Sequence, residues 1–219
     1  MKQTQAIVLD LDGLIIDSEP LHQRAFERLL ARHGVDHNFT VEEYGRYFVG
    51  IPVKENAEWL VARFELKGTQ EDLIAEREQI YEELLSDPAN LAPMPGLFGL
   101  LDDLSARGLP LGVASGSPRN QVDIILRGLR IRSRFGAVVA GDDVPNTKPA
   151  PDVYLRATKE LGAVPAHCIA VEDSVTGIAA AKAAGLYAIA VPNRYTAHQD
   201  LTRADARVEG LDRVMALIA

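Results

Sequence analysis

A doubly wound α/β core with an inserted helical domain is the fold this sequence predicts, and three observations predict it. Short apolar runs such as Ala6-Ile7-Val8-Leu9 and Cys168-Ile169-Ala170-Val171 read as strands buried on both faces. From about residue 97 such runs alternate with helical periodicity, which implies a parallel sheet with helices on both sides. Between the first strand and that alternation, residues 16–87 carry helical pattern alone. They are therefore expected as a cap domain inserted into a core of residues 1–15 and 88–219.

The cap reads as four helices. Ser18 and Pro20 precede Leu21, Ala25, Phe26 and Leu29, a run that stops near Gly34. Thr40 and Glu43 have capping-box spacing ahead of Tyr44 and Phe48. Val53, Ala57, Leu60 and Phe64 recur at helical spacing, and Thr69 with Asp72 opens a fourth run through Leu73, Ile80 and Leu84. Pro88, Pro93 and Pro95 then punctuate a junction. Beyond it, Leu97 to Leu104 is a helix closed by Gly108, Leu109 to Ala114 a strand, and Val122 to Leu129 a helix that starts from Pro118. Ala137 to Ala140 is a strand, Tyr154 to Leu161 a helix, Cys168 to Val171 a strand, Ile178 to Gly185 a helix and Ala188 to Val191 a strand.

Composition bounds the function. With 219 residues, 47% of them hydrophobic and 25% charged, the chain has the make-up of a globular protein with a substantial core. A net charge of −8 with no Lys/Arg-rich block argues against nucleic acid and anionic membrane as partners. Cys168 is the single cysteine and lies in an apolar run, which suits a buried thiol in a reducing compartment. The N-terminus leads directly into the first strand without a secretory hydrophobic region, so a cytoplasmic location is expected, with the chain a monomer.

Polar groups recur where strands end, and the carboxyl ends of parallel strands are where ligands bind. Asp10-Leu11-Asp12-Gly13 follows the first strand. Ser115-Gly116-Ser117-Pro118 follows the second, with small residues that let backbone N–H groups approach an anion; capping of the next helix accounts for Ser117 equally well. Lys148, between Thr147 and Pro149 on a proline-stiffened loop, offers a positioned positive charge, or else ordinary surface charge. Glu172 and Asp173 open the helix that follows, where acids also stabilise a helix N-terminus. Four carboxylates in one site favour a hard divalent cation, and Mg²⁺ fits because it takes oxygen ligands from carboxylates and substrate phosphate.

The order Asp-x-Asp-Gly, Ser, Lys-Pro, Glu-Asp resembles the haloacid dehalogenase superfamily, within it the phosphatase and β-phosphoglucomutase branch with a small helical cap. The motifs that carry the resemblance are Asp10 to Glu19, Ala114 to Ser117, Lys148 to Asp152 and Val171 to Gly177, and it covers nearly the whole chain. The resemblance implies a Rossmann-like core and Asp10 as nucleophile, forming an aspartyl-phosphate. It implies that Asp12 is the general acid and base, and that Ser115 and Lys148 bind the phosphoryl oxygens, with Gly116 and Ser117 beside them. Mg²⁺ would be held by Asp10, the carbonyl of Asp12 and Asp173, with Glu172 next to it or acting through water. Leu14 stands where Thr or Val is frequent, an apolar change that leaves the carboxylates alone.

The expected substrate is a small phosphomonoester, a sugar or polyol phosphate. Selectivity is expected from the cap, through the loop Gly50-Ile51-Pro52-Val53-Lys54, with Lys54 and His22 as candidate substrate contacts. A solvated lysine and a packing histidine are the competing readings of those two. The mutase alternative needs a basic pair in the cap, where Val53 and Glu78 stand; Lys54 and Arg77 are adjacent. This favours hydrolysis over phosphoryl shuttling. A non-catalytic binding module, the third alternative, is disfavoured by the presence of Asp10, Asp12, Lys148 and Asp173 together.

Overall fold

The structure, a computed structural model, describes residues 4–49, 51 and 53–218. The chain divides into two compact units, one formed by the segments up to Asp17 and from Leu91 onward, the other by Ser18–Asn90. Residues 15–17 stay with the first unit because they pair with the chain just after the junction. Ile16 bridges Pro93, the Asp17 N–H donates to Ala92 O at 2.9 Å and the Met94 N–H to Ile15 O at 3.0 Å. The expected breaks after residues 15 and 87 thus fall slightly early.

The α/β unit holds a parallel six-stranded sheet of order β3-β2-β1-β4-β5-β6. Its strands are β1 (Ala6–Leu9), β2 (Leu111–Ala114), β3 (Ala137–Val139), β4 (Cys168–Glu172), β5 (Tyr187–Ala190) and β6 (Ala206–Arg207). The short edge strand β6 lies beyond the last strand that the sequence pattern indicates. Residues of β1 and β4 are buried throughout, as strands covered on both faces must be. Period-two alternation puts Val8, Ala114, Ala170 and Ala188 on one face, in a single core with Val153, Ala157, Ile178 and Ala181. Ile7, Leu9, Val113, Ile169 and Val171 are buried on the other. Cys168 is free and buried.

The helical unit contains α1 (Glu19–Arg32), α2 (Val41–Tyr47), α3 (Val53–Phe64) and α4 (Gln70–Leu85). Thr40 Oγ1 accepts from the Glu43 N–H at 3.1 Å, and Thr69 Oγ1 from the Asp72 N–H at 3.1 Å, so both sequence-predicted caps form. Ser18 makes no side-chain cap; the first turn of α1 instead contains Pro20, whose fixed φ suits that position. Gly34 ends α1 at φ +80°, a left-handed position that glycine adopts without strain. Phe26, Phe39, Phe48 and Trp59 make a ring cluster inside the unit, with Phe26 and Phe48 centroids 4.7 Å apart.

The α/β unit is completed by α5 (Leu97–Ala106), α6 (Arg119–Gly128), α7 (Asp152–Glu160) and α8 (Val175–Ala183). Among the described residues no helix is long and apolar enough to cross a membrane.

Candidate active site

The strand order reverses direction at the β1/β4 pair, because β2 and β3 lie on one side of β1 and β4, β5 and β6 on the other. A crevice outside the carboxyl ends of such a pair is the usual ligand site of an open α/β sheet. Leu9 pairs with Val171, which sets Asp10 level with Glu172. The Asp10 N–H donates to Val171 O at 3.0 Å, fixing the residue at the sheet edge.

Lys148 closes this space from the loop after β3. Its Nζ donates to Asp10 Oδ1 and, at 2.6 Å, to Glu172 Oε1. The lysine is therefore no surface charge; its side chain is 9% exposed. Burial by itself would lower the Lys148 ammonium, but Asp10 and Glu172 outweigh burial and hold it above the ordinary lysine range. Burial and the neighbouring Glu172 charge push the Asp10 carboxyl up to about 7, against the pull of Lys148. Both shifts have one origin, charge confined where water cannot screen it.

Glu172 is held on every side. Its Oε1 also accepts from the Tyr154 hydroxyl at 2.6 Å, and its Oε2 from the Asp173 N–H at 3.2 Å and Ser174 Oγ at 3.3 Å. Ser174 Oγ in turn accepts from the Gly177 N–H at 3.2 Å and caps α8. Capping thus falls to Ser174, and the two acids before it face the site. A β-carbon at Gly177 would stand 1.9 Å from Glu172 Oε1, so the glycine makes room for that carboxylate.

Asp12 and the loop after β2 form the second half of the site. Ser117 Oγ donates to Asp12 Oδ2 at 2.6 Å, while Asp12 Oδ1 is buried with no partner. The Ser117 N–H donates to Ser115 Oγ at 3.0 Å, and the Ser115 N–H to Val139 O at 2.9 Å. Ser117, expected beside the phosphoryl group, is thus engaged with the Asp12 carboxylate. A β-carbon at Gly141 would come 2.2 Å from Gly116 O, so Gly116 is packed directly on the following loop.

Asp10, Glu172 and Asp173 bring one ligand oxygen each within 4.8 Å of one another. With all three carboxylates ionised and one ammonium beside them, the buried space carries two negative charges, before Asp12 is counted. An all-oxygen donor set with that charge fits a hard divalent cation. Asp12 Oδ1, buried and unpartnered, is a further acceptor awaiting a donor.

The candidate cap residues lie in the helical unit. Lys54 is exposed on α3, while Gly50 and Pro52 of the expected selectivity loop fall outside the described residues. His22 stacks on Tyr81 with centroids 4.0 Å apart, and its Nδ1 meets Arg77 Nη2. Burial and the Arg77 charge hold this imidazole well below its usual range, which favours its neutral form. With Glu19, Tyr44, Asn56 and Arg77 it lines a cavity of about 150 Å³. Tyr154 and Asn193 escape sequence reading. Tyr154 sits on the apolar face of α7 and reads as core, and Asn193 reads as an ordinary loop residue after β5.

Comparison with known proteins gives a consistent result. The model of the family described as haloacid dehalogenase-like hydrolase matches residues 7–191. The chain is 34% identical to protein CbbY of Rhodobacter capsulatus over 95% of this chain and 94% of that protein. It is 33% identical to hexitol phosphatase B of Escherichia coli (strain K12) over 87% of this chain and 85% of that one. Among solved structures, CbbY from Rhodobacter sphaeroides in complex with xylulose-(1,5)bisphosphate superposes with a TM-score of 0.81 at 30% identity, covering 96% of each chain.

Proposed function

The chain belongs to the haloacid dehalogenase-like hydrolases, in their phosphatase branch, and from that premise we propose that it is a Mg²⁺-dependent phosphatase of a small sugar or polyol phosphate, working through an aspartyl-phosphate on Asp10. The observation that carries this reading is the buried Asp10 carboxylate, bonded to Lys148 at the switch point of the sheet with Glu172 and Asp173 beside it. Relatives that act on phosphorylated carbohydrates, among them hexitol phosphatase B, support the substrate class.

The residues divide the work as follows. Asp10 attacks phosphorus, and Asp12 gives its proton to the leaving oxygen as the ester bond breaks. Asp12, now a carboxylate, takes a proton from water as that water attacks the aspartyl-phosphate and frees Asp10. A carboxylate nucleophile splits one displacement into two, and an acid that becomes a base serves both. Lys148 keeps its proton throughout and offsets charge on the transferring oxygens, while Ser115 and the backbone around Gly116 orient them. Asp10, the Asp12 carbonyl, Asp173 and Glu172 would hold Mg²⁺, which when bound supplies positive charge that keeps Asp10 ionised and stabilises the phosphoryl oxygens. Selectivity for the leaving group is assigned to the helical unit, with Lys54 and His22 as its candidate contacts. Cys168, a lone buried thiol, suits the reducing cytoplasm.

Phosphate release from a panel of sugar and polyol phosphates, with Mg²⁺ or EDTA, tests the reading. Release should require Mg²⁺ and vanish in Asp10→Asn, with deamidation checked by mass spectrometry. Full release by Asp10→Asn, or indifference to EDTA, would overturn it. Conversion of β-glucose 1-phosphate without phosphate release would make the chain a mutase instead.

A further inference from the structure

We propose that Asn193 is a positioning residue that ties the Asp173 carboxylate to the Asp10-Leu11-Asp12-Gly13 loop and so sets the affinity of the site for its metal. The inference rests on the metal-dependent reading above and adds to it a residue outside the four motifs. Asn193 lies on the loop after β5, and every hydrogen-bonding group of its side-chain amide that the geometry can reach is used. Nδ2 donates to Asp173 Oδ2 at 2.8 Å and to Gly13 O at 3.0 Å. Oδ1 accepts from the Tyr195 N–H at 2.8 Å and the Thr196 N–H at 3.2 Å. The amide has one orientation only, because the first two partners can only accept and the last two can only donate.

Three chain segments therefore meet on one side chain: the loop after β1, the end of β4 and the loop after β5. Gly13 makes the junction possible. It stands at φ +76°, and a β-carbon there would lie 2.4 Å from Asp173 Oδ2 and 2.8 Å from Asn193 Nδ2. The space a side chain would fill is the space in which the amide reaches the carboxylate. Asn193 is itself held in turn, since its own N–H donates to Thr196 Oγ1 at 3.1 Å. A neutral donor on a ligand carboxylate orients it without competing for its charge. Outer partners of this kind typically govern metal affinity by 10–100-fold.

The test is Mn²⁺ binding to the chain without substrate, read from the free-ion electron spin resonance signal, alongside thermal unfolding. Asn193→Ser keeps a short side-chain acceptor for the Tyr195 and Thr196 N–H groups but cannot reach Asp173 or Gly13. Thr196→Ala perturbs the same turn and leaves the amide in place. We expect Asn193→Ser to weaken Mn²⁺ binding by about 10–100-fold and Thr196→Ala to leave it within about threefold. In activity assays, the Mg²⁺ concentration for half-activation should rise in Asn193→Ser while kcat at saturating Mg²⁺ is largely retained. Wild-type Mn²⁺ affinity in Asn193→Ser would overturn the proposal, as would equal weakening in both variants, which marks a turn effect. As a check that needs no variant, the Asn193 side-chain amide resonances of the wild-type chain should shift on Mg²⁺ addition; unmoved resonances would also overturn it. A wild-type chain that takes up no Mn²⁺ would instead remove the metal reading itself, and this proposal with it.

Discussion

Replacing Gly177 with alanine separates the helix it belongs to from the carboxylate it shelters. On helix grounds alone the change should help, by up to about 1 kcal/mol, because glycine is a poor helix former. Here the new β-carbon would meet Glu172 Oε1 at 1.9 Å and Oε2 at 2.0 Å. Ordinary contact needs about 3.5 Å, so the carboxylate must retreat by roughly 1.5 Å. Its bonds to Lys148 Nζ and Tyr154 Oη, both 2.6 Å, would then stretch beyond hydrogen-bond range. Glu172 is fully buried, so water cannot replace them. Losing one charge-assisted and one neutral-donor bond costs about 2–4 kcal/mol, which leaves a net loss of about 1–3 kcal/mol after the helix gain. For a unit of this size that lowers Tm by about 2–12 °C. Lys148, released from one of its two carboxylates, should also cost kcat at least about tenfold. Calorimetry and phosphate release on Gly177→Ala check both. A Tm equal to or above wild type, with kcat within twofold, would show that Glu172 does not need the position the glycine leaves it.

Two further predictions concern Ser117 and Cys168. Ser117→Ala removes the donor held to Asp12 Oδ2, so kcat should fall by about tenfold with KM little changed; a raised KM at constant kcat would return Ser117 to the phosphoryl group. Burial pushes the Cys168 thiol from its ordinary value near 9 up to about 11. The unfolded thiol ionises first as pH rises, so the native state binds more protons and stability falls between those two values, by about 2–3 kcal/mol. Urea unfolding at pH 8.5 and 10.5 should show about two-thirds of this loss in the wild type and a smaller one in Cys168→Ala; equal losses would disprove the assignment.

What could be read from the sequence follows from what each signal depends on. Strands β1 and β4 are continuous apolar runs because both faces of the sheet are covered, and the caps at Thr40 and Thr69 are local spacings that need no tertiary knowledge. Asp10, Lys148, Glu172 and Asp173 were legible as polar residues at strand ends. Ser18 carried the right residue type for a cap, yet proline at the helix start left it no such task. Tyr154 was hidden because its ring belongs to the core and only its hydroxyl serves Glu172. Asn193 was hidden because its partners are far away in sequence, at Gly13 and Asp173. Strand β6 has two residues and no room for periodicity.

The insertion after β1 also dictates an order of events during synthesis. The strand made first is the one that ends up near the middle of the sheet, and its neighbours β2 and β4 arrive only at Leu111 and Cys168. Translation at 5–20 residues per second puts roughly 10–30 s between the appearance of Asp10 and that of Val171, the acceptor for its N–H. Helices α1 to α4 need no such wait, since their partners are local in the chain. The nascent polypeptide can thus carry a formed helical unit while Asp10 still lacks its β4 neighbour, and any premature stop before β4 yields a product without Glu172 and Asp173.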